Sequence, residues 1–162
     1  MIPCLSHLDI PDENIFRIKG EDDPADEANR YEEAIKSVLP LVNGLPQFDI
    51  VLLGMGDDGH TASIFPKDLQ LLSSNKLVEK AIHPDNGLSR VTITGKLINN
   101  AAHVFFLVTG KTKQPVVKSI FNKQGDYLKY PAAHIKPLSK QLTWFLDKEA
   151  AGNTDFSQYK TC

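Results

Sequence analysis

Residues 48–66 read "FDIVLLGMGDDGHTASIFP", an apolar run that breaks into a glycine-rich turn. Ile50, Val51, Leu52 and Leu53 form the short, nearly all-apolar segment expected of a parallel strand buried on both faces. Gly54, Gly56 and Gly59 satisfy the G-x-G-x-x-G spacing of a dinucleotide-binding loop, and Glu79 supplies the acidic residue that should follow about 20 positions later. Two features oppose that reading. Asp57 and Asp58 put two carboxylates where a pyrophosphate would lie. Pro66 leaves room for little more than one helical turn after Gly59, whereas the fingerprint must open a long helix whose N-terminal amides receive the phosphates. Nicotinamide chemistry is therefore disfavoured.

With 162 residues and 41% apolar content, the chain can bury one core and is most simply one domain. The formal net charge of −2 provides no global field for nucleic acid or an anionic membrane. An anionic substrate would need local cations, and arginine is confined to Arg17, Arg30 and Arg90. Cys4 and Cys162 stand near opposite ends without zinc or C-x-x-C spacing, so a reduced, cytosolic compartment is the default expectation. No segment approaches the roughly 18 consecutive apolar residues of a membrane helix. The opening "MIPCLSHLDIPDEN" lacks the basic and apolar regions of a signal peptide.

Ile2, Leu5 and Leu8 have helical spacing without an N-cap, and residues 15–18 read as a short strand. An amphipathic helix is predicted over 24–39, bracketed by Pro24 and Pro40. Strands are predicted at 48–54, 78–82, 90–94, 102–108 and across "LTWFLD", with a basic helix after Gly110 and a helical turn at "KEAAG". The polar tail from Asn153 is expected to fray. Strands alternating with helices imply an α/β fold, a mainly parallel layered sheet with flanking helices. Ligands bind such sheets at the carboxyl ends of strands, which puts the loops after Leu53 and Val108 on one functional edge.

His60 follows the glycine turn at a strand end, where an imidazole can serve as general base or acid near neutrality. Asp58 can accept a hydrogen bond from one ring nitrogen and fix the tautomer, as a triad carboxylate does. Gly54, Gly56 and Gly59 permit positive φ and close approach of main-chain amides to a substrate oxygen. The equally weighted alternative is a tight turn whose aspartates cap a short helix. A metal site at Asp57, Asp58 and His60 lacks familiar ligand spacing. Ser63 lacks a nucleophile elbow, and His83, His103 and His134 are isolated. For anion binding, Arg90 offers a rigid fork at a strand start, and Lys113 sits in "GKTK" before a helix.

The loop "GMGDDGHTASIFP" resembles the hallmark G-x-G-x-D-G-H-x-A-S-[LI]-F-P of the 6-phosphogluconolactonase family. "IPDENIFRI", "SRVTIT", "INNAAHVFFLVTGKTK", "YPAAHI" and "LTWFLDKEAA" resemble later family segments in order, so the likeness covers about residues 1–151, with 152–162 as a polar tail. It implies a Rossmann-like fold of the sugar-phosphate isomerase type. It also implies cofactor-free hydrolysis of 6-phosphoglucono-1,5-lactone to 6-phosphogluconate in the oxidative pentose phosphate pathway. By position, His60 would be the base, Asp58 its orienting carboxylate, Arg90 a substrate contact and Lys113 a phosphate contact, with the glycines lining the sugar. In the related glucosamine-6-phosphate isomerases the histidine is followed by a stretch ending in Asn-Glu-Pro. Here Ser63-Ile64-Phe65-Pro66 carries no carboxylate, which disfavours isomerisation or deamination.

The family also carries an N-terminal portion of several dozen residues with a Gly-Gly-Ser/Thr phosphate loop and an Asp-Glu-Arg motif. Neither occurs in this sequence. The resemblance therefore implies an N-terminally truncated fold, with a bare sheet edge through which the chain is expected to self-associate. A catalytically impaired sugar-phosphate-binding fragment is the alternative to an active lactonase.

Overall fold

The computed structural model describes residues 7–160. Cys4, Cys162 and most of the helical spacing that begins at Ile2 lie outside them. In chain order the regular elements are α1 (Pro24–Val38), β1 (Leu41–Val42), β2 (Leu45–Pro46), β3 (Ile50–Leu53), β4 (Val78–Ile82) and β5 (Ser89–Ile93). They continue with α2 (Gly95–Asn99), β6 (His103–Val108), α3 (Gln114–Asn122), β7 (Leu142–Leu146) and α4 (Lys148–Ala151). Among the described residues, no helix is long and apolar enough to cross a membrane.

Three strands form a wholly parallel sheet in the order β3-β6-β7. Its register puts Val51 beside Val104 and Leu53 beside Phe106, and sets Trp144 against Phe106 and Leu146 against Val108. Side chains alternate between the faces of a strand, so these residues share one face. That face meets Ile64, Ile98, Val117, Ile135 and Ala150 in the main core. Phe106 and Trp144 stack there with ring centroids 3.9 Å apart. The opposite face is open: Ile50 is 54% and Leu52 65% exposed, and Leu107 and Phe145 are exposed beside them.

The β4-β5 and β1-β2 pairs are antiparallel hairpins outside this sheet. Asn43 and Gly44, both at positive φ, turn the second of them, and the Asn100 side-chain amide donates to the carbonyls of Val42, Leu45 and Pro46 beneath it. α1 packs on the first hairpin through Ala28, Ile35, Leu77, Val78 and Leu97.

Three expectations are corrected. Residues 15–18 form no strand and pair with none among the described residues, so the apolar pattern there has no ladder to join. β3 is an edge strand with one open face, not a central strand buried on both, because an all-apolar run does not reveal what covers it. The tail is not frayed as far as Tyr159: Phe156 packs edge-on to Phe121 at 5.0 Å, and the Tyr159 hydroxyl donates to the Phe121 carbonyl.

α1 begins where Asp23 accepts the main-chain N–H groups of Ala25 and Asp26 and where Pro24 needs no donor partner. Its one buried charge, Glu27, is answered in full. Arg30 donates to both carboxylate oxygens at 2.6 and 2.7 Å, and the Lys19 amide adds a third bond at 2.7 Å. The Arg30 hydrogen bonds, ahead of any other cause, hold the Glu27 carboxyl below its ordinary 4.5. A depressed folded pKa means that the stabilisation is complete above the unfolded value and is lost as pH falls through the folded one. Glu27→Gln should therefore cost about 1–3 kcal/mol at pH 7 and much less near pH 3. Urea unfolding followed by the fluorescence of Trp144, the single tryptophan, reads both values.

Candidate active site

Leaving β3, the chain folds the glycine loop upon itself. The Thr61 hydroxyl donates to the Gly54 carbonyl at 2.9 Å, the Gly56 amide to the His60 carbonyl at 2.9 Å and the Gly59 amide to the Gly56 carbonyl at 3.0 Å. Gly59 alone of the three glycines has positive φ, at +78°. A Cβ on it would also meet the Tyr130 side chain, nearest at 2.5 Å. The amides of Gly56 and Gly59 are thus spent closing the loop. After a turn through Ala62 at φ +50°, the chain enters the short 3-10 segment Pro66–Leu72. No α-helix opens at the loop, and the amide fan that a dinucleotide needs is missing among the described residues.

The loop aims His60 through Asp58. One carboxylate oxygen, Oδ1, accepts the His60 main-chain N–H at 3.0 Å and meets ring Nδ1 at 2.6 Å. A carboxylate can only accept, so the contact puts the ring proton on Nδ1 and leaves the Nε2 lone pair free. From below, the buried Phe65 ring packs on the imidazole at 4.8 Å and on His83 at 5.2 Å. Ser63 is tied by its amide to the Thr92 hydroxyl of β5 at 3.1 Å, and the Gly59 carbonyl accepts from the Ala132 amide at 3.1 Å.

His60 lines a cleft of about 520 Å³ with Leu53, Gly54, Gly56, Ile93 and Lys113. Lys113 comes from the loop after β6, as parallel pairing requires. Its Nζ lies 2.6 Å from Asp57 Oδ1, which also accepts the Thr112 hydroxyl at 2.9 Å. Hydrogen bonding to Lys113, then to Thr112, holds the Asp57 carboxyl below its usual 3.8. That loop is itself fixed by Asp147, which accepts the Gly110 amide and caps α4 at Ala150.

The structure brings together His60, Asp58, Gly54, Gly56 and Lys113. Gly59 forms the turn behind them. Arg90 is exposed and does not line the cleft; it shares a face of β5 with Thr92 but stands two residues farther out on the hairpin. His103 begins β6, at the end of the strand away from this loop, and the His134 ring bonds the Leu128 carbonyl. The sequence reading missed the Phe65 shelf, the Thr92 tie and the Asp57–Lys113 contact. The charges of Asp57 and Lys113 were visible in the sequence, but their meeting depends on the β3-β6 register. Among the described residues, no group of three His, Cys, Asp or Glu side chains is placed to hold a metal.

Residues 3–144 match the family described as glucosamine-6-phosphate isomerases/6-phosphogluconolactonase. A 6-phosphogluconolactonase from Haemophilus influenzae is 44% identical over 144 residues, covering 89% of this chain and 60% of that protein. One from Treponema pallidum is 46% identical over 116 residues, covering 72% of this chain and 48% of that protein. The structure of the Trypanosoma brucei 6-phosphogluconolactonase superposes with a TM-score of 0.76 at 30% identity, over 91% of this chain and 64% of that one. The chain therefore spans only about half to two thirds of the length of these relatives.

A methyl group at Gly56 would fall on His60 Nδ1 and Cε1 and 2.7 Å from Asp58 Oδ1. The ring is partly exposed and can swing away. Gly56→Ala should then change the unfolding free energy by no more than about 1 kcal/mol, below the usual 1–3 kcal/mol of overpacking, while moving the His60 Cε1–H resonance and abolishing its sensitivity to Asp58→Asn.

Proposed function

Because the chain belongs to the family of glucosamine-6-phosphate isomerases and 6-phosphogluconolactonases, we propose that it hydrolyses 6-phosphoglucono-1,5-lactone to 6-phosphogluconate. The observation that carries this reading is the Asp58–His60 pair, with Nε2 free beside the cleft. Nε2 takes a proton from water as the water oxygen attacks the lactone carbonyl. The resulting imidazolium, held by Asp58, gives that proton to the ring oxygen when the acyl C–O bond breaks. Lactone and water become a hydroxy acid, whose proton leaves to solvent. Lys113 approaches the phosphate. Gly54, with open space where a side chain would stand, lets the sugar lie close to the main chain, and Gly56 makes room for the His60 ring. Arg90, exposed on β5 beyond the cleft lining, is the candidate contact for a part of the substrate that extends past the cleft.

Phe65 favours hydrolysis over aldose–ketose isomerisation. Moving a proton between neighbouring carbons calls for a second acid–base group, and the partner lying against His60 on that side is a phenyl ring. Cytoplasmic action suits a substrate whose charged phosphate keeps it inside the cell. A second reading, a weakly binding sugar-phosphate protein, is favoured by Lys113 being, among the described residues, the single lysine or arginine lining the cleft and already paired. The open face of Ile50, Leu52, Leu107 and Phe145 supports self-association, and Leu52→Lys with Phe145→Lys should shift sedimentation toward monomer.

His60→Ala should lower the lactonase rate by about 10²-fold or more, the scale of a positioned general base, measured above spontaneous hydrolysis. Asp58→Asn should lower kcat with little change in KM. Turnover of His60→Ala close to that of the unaltered chain would remove the base from this mechanism.

A further inference from the structure

Lys113 is held at two points, and by different parts of the fold. Asp57 holds the ammonium. The main chain depends on Gly110, whose carbonyl accepts the Lys113 N–H at 3.1 Å. Gly110 stands at φ +96°, a bend that glycine permits but, with its wide conformational freedom, does not fix by itself. The group that fixes it is the carboxylate of Asp147, just past β7. Its Oδ1 and Oδ2 accept the Gly110 N–H at 3.2 and 3.0 Å, and Oδ1 also caps α4 through the Ala150 amide at 2.7 Å. The chain that follows braces the far side of the same turn. A Cβ on Gly152 would overlap the side chain of Gln114, the neighbour of Lys113. Phe156 and Tyr159 then pack edge-on to Phe121 of α3 at 5.0 and 4.9 Å.

We propose that Asp147 is the positioning residue for Lys113: through Gly110 it sets where the lysine stands over the cleft, and it keeps the lysine there when a ligand anion draws the ammonium from Asp57. The hold on the main chain follows from the geometry alone, whereas its use in binding rests on the sugar-phosphate reading of the site. An anion that takes the ammonium competes with Asp57, so that tie weakens as ligand arrives. The relay from Asp147 through Gly110 to Lys113 runs over main-chain groups that no ligand displaces. Without it, apparent affinity falls with the fraction of molecules that already hold the lysine in place. A phosphate contact made alike in the ground and transition states shows its loss in KM and not in kcat.

Asp147→Ser separates this role from helix capping, because serine is as good an N-cap as aspartate but offers no second oxygen to Gly110. Asp147→Asn, which keeps the shape and gives up one acceptor, makes the same comparison in milder form should the serine variant fail to fold. By NMR, the Gly110 and Lys113 amides should exchange about 10-fold faster or more, the scale of one hydrogen bond to a charged group. The Ala150 amide and the strands of the parallel sheet should exchange as before. Calorimetric titration with 6-phosphogluconate should show binding weakened about 3- to 10-fold, part of that same bond, and lactone hydrolysis should show KM raised by a similar factor at nearly constant kcat. Unchanged exchange at Gly110 and Lys113, or a uniform loosening that includes Ala150 and β6, would overturn the proposal. So would loosened amides with unaltered 6-phosphogluconate affinity, or a fall in kcat at constant KM. If the unaltered chain neither binds 6-phosphogluconate nor turns over the lactone, the sugar-phosphate reading fails, and the exchange rates alone decide whether Asp147 holds Lys113.

Discussion

Parallel pairing of β3 with β6 is the constraint on which the site depends. In a parallel ladder both strands finish at the same end, so the chain leaving Leu53 and the chain leaving Val108 must turn side by side. One loop brings Asp57, Asp58 and His60, and the other brings Thr112 and Lys113. The Asp57 contacts close across 55 residues of sequence only because this register holds. The same pairing commits Val51, Leu53, Val104 and Phe106 to one face, where α3 and α4 complete the core beneath the loops.

On that base the glycine loop works as a mount for one imidazole. Thr61 returns to Gly54, Gly56 bonds the His60 carbonyl, Ser63 is tied to β5 and Gly59 to the 3-10 turn at Ala132. Asp58 then restrains both ends of His60, its amide and its Nδ1, through a single oxygen. Ordering the loop through main-chain bonds leaves little entropy to be lost when substrate arrives, which is what a positioned base requires.

Much of this was legible from local sequence. The apolar runs of β3, β6 and β7, the two prolines bracketing α1, and the Asp58–His60 spacing are decided within a few residues, where turn chemistry and side-chain reach operate. Long-range properties were not legible. Residues 15–18 carry strand-like residues but no partner strand. β3 reads as buried on both faces because Ile50 and Leu52 are as apolar as Val51 and Leu53, and composition does not say which side is covered. Phe156 and Tyr159 anchor a tail whose average polarity suggests fraying. Arg90 reads as a substrate contact, but on β5 it is Ile93 that joins the cleft lining, with Arg90 exposed nearer the hairpin turn. Asp57 reads as a charge that repels phosphate, and its role as partner of Lys113 emerges only with the register.

The most direct test of the chemistry is the tautomer of His60. Two-bond 1H–15N correlation of the imidazole in the neutral, ligand-free protein distinguishes a protonated nitrogen from one bearing a free lone pair. The expected result is a proton on Nδ1 and an unprotonated Nε2, with the pattern lost in Asp58→Asn. A ring protonated at Nε2, or one indifferent to Asp58, would contradict a site in which this loop exists to present a base.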